Sequence, residues 1–224
     1  MKKAIVIILV FIVCSCKGQT DSSFSNFVNK FEKIKIPFTM PENYNRDIYK
    51  KNISNKYVDA FICKDKNKCK CLEKDFYYYS DGYRKFMYSY GIKIPFSNKD
   101  YVALIYYKTY QDGKTAEDYE LTEYILTVFD NMRNIISSEV IGRMNEIFWC
   151  DVFFNANNKI NVTQNEILVR ESDFNNSKIK SKVIYKEYSI DSLSGIIQRV
   201  DNNNKFEFRN LTWDDDKGKY IIVK

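Results

Sequence analysis

Short apolar runs, each bounded by polar or turn-forming residues, follow one another along most of the chain. The clearest are residues 101–110, 119–129 and 135–141. They are rich in β-branched and aromatic residues and are separated by Asp, Asn and Gly, which predicts consecutive antiparallel strands. The second run begins with polar residues on one face and ends apolar on both faces. This change predicts a strand in the interior of a sheet.

Similar runs continue on both sides of this central part and predict further strands. They lie at residues 56–63, 69–72, 76–79, 83–90, 147–154, 159–162, 167–169, 182–190, 196–200, 205–209 and 220–223. Near the start, apolar residues at positions 24, 27, 28, 31 and 34 have helical spacing and predict an amphipathic helix that covers one face of a sheet. The sequence therefore predicts a mainly β fold, an antiparallel meander that forms a curled sheet or a sandwich, with one N-terminal amphipathic helix.

The first residues have the pattern of an export signal. Lys2 and Lys3 precede residues 4–13, ten apolar residues without a charge. Spanning a hydrocarbon core about 30 Å thick takes about 20 helical residues, so this run is too short to cross. A basic start followed by a short apolar run and small residues is typical of a signal peptide. An uncleaved anchor and an ordinary secretory signal are the alternatives.

The run ends in Val13-Cys14-Ser15-Cys16, which resembles the lipobox of bacterial lipoproteins. The resemblance implies cleavage before Cys16 and lipidation of this residue, with Ser15 as the small residue before the cut. It also implies a lipid-anchored protein of the bacterial cell envelope that faces the periplasm or the cell exterior. The predicted organisation is a signal peptide at residues 1–15, lipidated Cys16 and a tether to residue 23, and a single β-rich domain at residues 24–224.

Composition agrees with β-rich packing, because the 224 residues include 18 Tyr and 16 Phe but only 7 Gly and 3 Pro. The formal charge of +6 falls to +4 once Lys2 and Lys3 are removed with the signal. Residues 45–75 carry nine Lys or Arg against five Asp or Glu, so the excess is local. Within it, Lys64, Lys66 and Lys68 are candidates for contact with anionic head groups or an acidic partner. A solvated surface is the alternative, and the absence of a reading motif argues against nucleic acid.

Four cysteines remain in the predicted mature domain: Cys63, Cys69, Cys71 and Cys150. An even number outside the cytoplasm predicts two disulfides. A hairpin with its turn at residues 64–68 would place Cys63 opposite Cys69 and leave Cys71 to pair with Cys150. The alternative is a soft-metal site for Zn²⁺ or Cu⁺ that uses the thiolates of Cys69 and Cys71 with the third and fourth cysteines. We predict disulfides rather than a bound metal, and no cofactor.

The remaining candidates concern binding. Histidine is absent, and no phosphate-binding glycine loop or nucleophile elbow is present. Tyr77, Tyr79 and Tyr83 are candidates for a binding face, with ordinary core and strand-surface roles as the alternative. Asp191-Ser192-Leu193 resembles the O-glycosylation acceptor of exported proteins in some bacteria, which makes Ser192 a candidate for a sugar.

Together these features predict a non-enzymatic, lipid-anchored module that binds a protein, peptide or glycan, in one version as an immunity-type protein. The competing hypotheses are an envelope hydrolase whose carboxylates meet only in space, and a purely structural lipoprotein. A cleft with two close carboxylates would favour the hydrolase, whereas an exposed aromatic or basic patch would favour binding.

Overall fold

The computed structural model describes residues 23–40, 51–63, 86–111, 120–144, 148–155, 159–168, 179–200, 205–214 and 219–223. Within these ranges twelve strands form two sheets, so the prediction of a mainly β chain is confirmed. The strands are β1 (Glu32–Lys33), β2 (Phe38–Thr39), β3 (Phe86–Ile94), β4 (Tyr101–Gln111), β5 (Glu120–Asp130), β6 (Ile135–Met144), β7 (Phe148–Phe154), β8 (Lys159–Ile167), β9 (Ile179–Ile190), β10 (Ile197–Val200), β11 (Phe206–Asp214) and β12 (Lys219–Val223).

The first sheet has five strands in the order β1-β3-β4-β5-β6. Strands β3 to β6 follow one another in the chain and pair antiparallel, because the short connections between them leave no room for crossovers. β5 pairs with β4 on one side and β6 on the other, which agrees with the interior strand predicted from its apolar end. β1 pairs parallel with β3, with Glu32 opposite Ile92, and departs from the antiparallel pattern.

The second sheet has the order β12-β11-β9-β8-β7-β2, and β10 pairs with the end of β9. Its pairings are antiparallel. β9, with 12 residues, carries β8 along one edge, while β11 and β10 share the other edge end to end. β9 is therefore the strand around which this sheet is assembled.

The two sheets pack face to face as a sandwich. Alternate residues of strands β3 to β9 point into one shared apolar core, as the period of two requires. The fully buried members include Ile92, Ile105, Tyr107, Leu126, Val128 and Ile141 from the first sheet and Val152, Phe154, Ile160 and Val162 from the second. Tyr107 and Tyr124 meet there edge to face, with ring centroids 4.9 Å apart.

The other face of the first sheet is covered by short helical segments. Residues 23–28 are helical, and the ring of Phe27 packs 6.4 Å from that of Phe129 on β5. Phe31 meets Tyr90 on β3 at 5.1 Å. The predicted N-terminal helix stays a prediction as a complete element, since the helical turns give way to β1 at Glu32. No helix among the described residues has the length and apolarity needed to cross a membrane.

The strand predicted at residues 56–63 is wrong. Asn55–Tyr57 is α-helical and Val58–Ile62 continues it as one π-helical stretch. Val58 and Phe61 are buried on the same side, in the aromatic cluster that also holds Phe27. Their spacing of three fits a helix, but a run this short is ambiguous until its packing surface is known. The first strand of the hairpin predicted around residues 64–68 is therefore absent. The strands predicted at residues 69–72 and 76–79 lie outside the described residues.

Candidate binding surfaces

Most of the candidate site residues lie outside the described part of the chain. These are Cys16, Lys64, Lys66, Lys68, Cys69, Cys71, Tyr77, Tyr79 and Tyr83. Their lipidation, pairing and binding roles stay predictions. The described candidates are Cys63, Cys150 and Ser192, and the fold does not bring them together as one site, because Cys63 lies in the helical layer and Ser192 in a turn of the second sheet.

The predicted Cys71–Cys150 disulfide is wrong, because Cys150 carries a free thiol. Cys63 is buried and disulfide-bonded to a partner outside the described residues. The proposed pairing of Cys63 with Cys69 stays a prediction. It no longer has the support of a hairpin, since the chain enters Cys63 from a helix.

Cys150 faces β6 rather than another cysteine. A Cβ placed on Gly142 would lie 2.6 Å from its Sγ, so the thiol occupies the space that this glycine leaves open. Burial raises the pKa of the Cys150 thiol to about 12, and the charge of Asp151 acts in the same direction. A thiol in this state is a poor nucleophile, because the thiolate is the reactive form. In the described ranges no three His, Cys, Asp or Glu residues are grouped as metal ligands would be.

Ser192 is exposed in the turn between β9 and β10. The carboxylate of Asp191 accepts hydrogen bonds from the main-chain N–H groups of Leu193 and Ser194, at 2.9 and 2.7 Å, and from the Ser194 hydroxyl at 2.9 Å. These bonds, led by the Ser194 N–H, hold the pKa of Asp191 below its ordinary value. An Asp that binds the N–H groups two and three residues on is a common turn device. The turn is therefore ordered, and the Ser192 side chain is accessible.

Hydrogen bonds from residues at or just before the start of β4 hold this turn in place. Asn98 donates a hydrogen bond of 2.9 Å to the carbonyl of Ser192, and the hydroxyl of Tyr101 donates one of 2.9 Å to the carbonyl of Leu193. Gly195 has φ +71°, a conformation that favours glycine, and a Cβ there would lie 2.9 Å from the Tyr101 ring. The turn after β9 in the second sheet thus packs on Tyr101, the first residue of β4 in the first sheet.

The turn between β5 and β6 has a similar construction. The carboxylate of Asp130 accepts hydrogen bonds from the main-chain and side-chain nitrogens of Asn134, at 2.7 and 3.0 Å. Arg133 has φ +69° and donates its N–H to the Asp130 carbonyl. Tyr101 is the register partner of Asp130. Because Tyr101 contacts both turns, they lie at the same end of the sandwich.

Apolar side chains project from this end into solvent. Leu193 is 84% exposed and Met132 is 72% exposed, although the main chain of each turn is held by hydrogen bonds. Ile136 and Ile196, which flank the turns, are also exposed. We call Met132, Ile136, Leu193 and Ile196 the apolar end.

A second surface lies near the opposite end of the second sheet. Phe206 and Phe208 are alternate residues of β11, 51% and 60% exposed, and their rings meet edge to face at 5.7 Å. The ammonium group of Lys182 on β9 lies 4.9 Å from the centroid of the Phe206 ring. Lys180, Lys182 and Lys186 alternate along β9 and therefore share the face that these rings occupy. Phe206, Phe208, Lys180, Lys182 and Lys186 form what we call the aromatic-cationic face.

The opposite side of β11 serves a structural role. Tyr185 donates a hydrogen bond of 2.7 Å to the carboxylate of Glu207, and Arg209 donates one of 2.6 Å to the Tyr185 hydroxyl. Arg209 also forms an ion pair with Glu207. The hydrogen bond from Tyr185 is the main reason that the pKa of Glu207 is lowered. This group joins β9 to β11 and fixes the strand that presents Phe206 and Phe208.

Other described carboxylates also have cationic partners. Glu123 lies 3.3 Å from Arg143, and Glu187 lies 2.9 Å from Lys159. A glycosidase-type acid needs a raised pKa and a second carboxyl group nearby. The lowered pKa values of Asp191 and Glu207 are the reverse of that requirement. The described geometry therefore presents exposed aromatic and basic groups rather than a carboxylate pair.

Comparisons with models of protein families, with curated proteins and with solved structures found no match for this chain.

Sequence reasoning missed the aromatic-cationic face. The alternation Lys205-Phe-Glu-Phe-Arg209 shows that Phe206 and Phe208 share one side of a strand. It does not show which side remains open, because that depends on how far the first sheet extends over the second. The apolar turn residues, in contrast, carried a readable signal: Met132 and Leu193 stand alone among polar turn residues.

Proposed function

We propose that the protein is a lipid-anchored module of the bacterial cell envelope that binds a partner without catalysis through the aromatic-cationic face. The observation that carries the proposal is the pair of exposed rings, Phe206 and Phe208, with the Lys182 ammonium group over one of them. Exposed aromatic rings beside a row of lysines offer both apolar contact area and positive charge.

These groups indicate the chemistry of the partner. Stacking on Phe206 and Phe208 suits a flat apolar group, such as another aromatic side chain or the face of a sugar ring. Lys180, Lys182 and Lys186 suit negative charge. Burial lowers the pKa of Lys186, with Arg199 as the next cause, so an anion bound there would relieve repulsion between neighbouring cations. An acidic peptide or protein segment, or an acidic glycan, fits both requirements, and an immunity-type role is one form of this function.

The anchor is the second part of the proposal. Cleavage before Cys16 and acylation of this residue would leave residues 17–23 as a tether, followed by an amphipathic helix that begins on the first sheet. Acyl chains contribute about 0.8 kcal/mol per buried methylene, so several chains hold a protein firmly. Cys16→Ser is expected to move the protein from the membrane fraction to the soluble fraction. Retention after a carbonate wash would contradict the anchor.

The binding face is tested on detergent-solubilised full-length protein with defined probes. Polyglutamate and an acidic polysaccharide would be titrated at low and high salt. We expect Phe208→Ser to weaken binding about tenfold, which is about 1.4 kcal/mol. Lys182→Glu should weaken binding as much, mainly at low salt, because salt screens exposed charges.

The matched control is Phe153→Ser, because Phe153 is exposed on the other face of the second sheet. It should bind like the wild type. An equal loss in Phe153→Ser and Phe208→Ser, or unchanged binding in both Phe208→Ser and Lys182→Glu, would contradict the aromatic-cationic face as the binding surface. Far-UV circular dichroism of each variant provides the check on folding.

A further inference from the structure

We infer that the apolar end of the sandwich rests on the surface of the membrane that holds the lipid anchor. The occupant of this surface is therefore the bilayer itself, at the level of the head groups and upper acyl chains. The inference depends on the proposed anchor at Cys16 and adds the orientation of the domain and the residues that contact lipid.

The exposed apolar side chains belong to turns whose main chain is held in place by hydrogen bonds. Leu193 projects from a turn whose main chain is bound by Tyr101 and by Asp191. Met132 projects from a turn that is bound by Asp130. In both turns the carboxylate is directed back to turn nitrogens, which leaves the apolar side chain at the tip. Large apolar residues held in this way on an exposed surface are typical of an interaction site.

The N-terminal segment reaches the sandwich at the same end. The ring of Phe24 packs 5.5 Å from that of Phe129, and Phe129 directly precedes Asp130, which opens the Met132 turn. Ser23 therefore lies near the apolar end. The lipidation candidate Cys16 is seven residues earlier in the chain.

The reach of the tether limits the possible orientations. Seven residues span at most about 25 Å when fully extended, at about 3.6 Å per residue. The strand β5 runs from Glu120 to Asp130, and ten steps at about 3.4 Å make it roughly 34 Å long. If the far end of β5 faced the bilayer, Ser23 would lie beyond the reach of an anchored Cys16. The tether therefore excludes the inverted orientation, and the exposed Leu193 and Met132 favour contact of this end with the membrane.

This orientation directs the aromatic-cationic face outward. Phe208 pairs with Lys182, and eight residues of β9 separate Lys182 from Ile190 at the turn. At about 3.3 Å per residue these positions lie roughly 26 Å apart. Phe208 and Lys182 are thus held away from the bilayer. A sugar on Ser192 would lie in the contact with lipid, so glycosylation at this position and membrane contact exclude each other.

The test measures the depth of single labels in the anchored protein. Full-length protein with Cys150→Ala is purified from membranes and reconstituted in phosphatidylcholine vesicles, and the signal of Cys150→Ala labelled without a further cysteine is subtracted as background. Leu193→Cys carries an environment-sensitive fluorophore, and quenching by brominated lipid is recorded. Leu168→Cys is the matched control, since Leu168 is an exposed leucine that follows β8 at the opposite end of the second sheet. We expect quenching at position 193 to exceed that at position 168 at least threefold.

The outcomes separate this inference from the proposed anchor. Equal quenching at both positions, in protein that floats with the vesicles, overturns the orientation and leaves the anchor intact. Protein that does not float with the vesicles, and behaves like Cys16→Ser, overturns the anchor and the orientation with it. A sugar mass on Ser192 in the anchored protein also overturns the contact. A label at Met132→Cys should be quenched like that at Leu193→Cys.

Discussion

The hydroxyl of Tyr101 donates a hydrogen bond of 2.9 Å to the main-chain carbonyl of Leu193, 92 residues later in the chain. A strand of the first sheet thereby holds a turn of the second sheet in place. The same ring packs against Gly195, where φ is +71°. Tyr101 therefore joins the two sheets at the apolar end, together with the hydrogen bond from Asn98 to the Ser192 carbonyl.

Tyr101→Phe removes this bond and keeps the ring. Because the bond lies at the surface, we expect a loss of about 0.5–1.5 kcal/mol in the free energy of unfolding. Hydrogen exchange of the turn amides at residues 193–196 should accelerate more than that of β4. Tyr185→Phe is the control, since its hydroxyl bonds Glu207 on another part of the sheet. Unchanged exchange at the turn would show that Tyr101 does not hold it.

Gly142→Ala tests the contact between β6 and Cys150. The new Cβ would lie 2.6 Å from the Cys150 Sγ, so the thiol or the strand must move. We expect destabilisation by about 1–3 kcal/mol, as for overpacked cores. In a Cys150→Ala background the sulfur is gone and the cost of Gly142→Ala should be markedly smaller. Additive losses in the double variant would show that the two residues do not couple.

The thiol of Cys150 should react slowly in the native protein. Its pKa of about 12, against about 8.5 for a free cysteine, lowers the thiolate fraction at pH 8 about a thousandfold. The difference in labelling rate between wild type and Cys150→Ala measures this thiol alone. The raised pKa also makes stability pH-dependent. Its contribution is complete below about pH 8.5 and is lost as the pH rises toward 12, because only the unfolded chain ionises there. Rapid native labelling would contradict the raised pKa of this thiol.

Asp191 should make the β9–β10 turn sensitive to acid. Its pKa is lowered in the folded protein, so the stabilising carboxylate form is complete above the ordinary value of about 3.9 and is lost as the pH falls through the folded value. We expect the turn amides to lose protection below about pH 4. Asp191→Asn keeps an acceptor oxygen but does not titrate, so its turn should show no such step. An identical acid step in both proteins would assign the transition to another group.

The strands of this protein were predictable because alternate residues along the sequence show which side chains occupy each face of a strand. The runs at residues 101–110 and 119–129 agree with β4 and β5 within one or two residues. The prediction at residues 56–63 failed because a run with six hydrophobic residues in eight fits a strand and a helix equally well. Its helical form depends on contact with Phe27, which is far away in the sequence.

β8 was predicted as two shorter strands, and the reason for this error is physical. The residues between them are polar, but they continue the strand. The Gln164 side chain accepts a hydrogen bond from the main-chain N–H of Arg143 and donates one to its carbonyl, at 2.8 and 2.9 Å. A buried amide with these partners is satisfied within the sandwich. The pattern of residues along β8 does not show that Gln164 has a hydrogen-bond partner, Arg143, in the other sheet.

The site was less predictable than the fold. Disulfide pairing depends on the directions of side chains, and Cys150 faces Gly142 instead of a second cysteine. The open position of Phe206 and Phe208 depends on where one sheet stops covering the other. Neither the Cys150–Gly142 contact nor the exposure of Phe206 and Phe208 can be predicted from the residues next to them in the sequence. The turn at Asp191, in contrast, follows directly from the short polar sequence after β9.

The irregular pairing of β6 has a consequence for contacts between neighbouring molecules. β6 is the last described strand of the first sheet, and its register with β5 shifts twice, next to Ile125 and next to Phe129. An exposed edge with a regular row of N–H and C=O groups is a template for edge-to-edge aggregation. Each bulge interrupts that row and increases the local twist. Neighbouring molecules would therefore meet at a distorted edge, so the exposed Ile136 and Val140 can lie on β6 without starting intermolecular sheets.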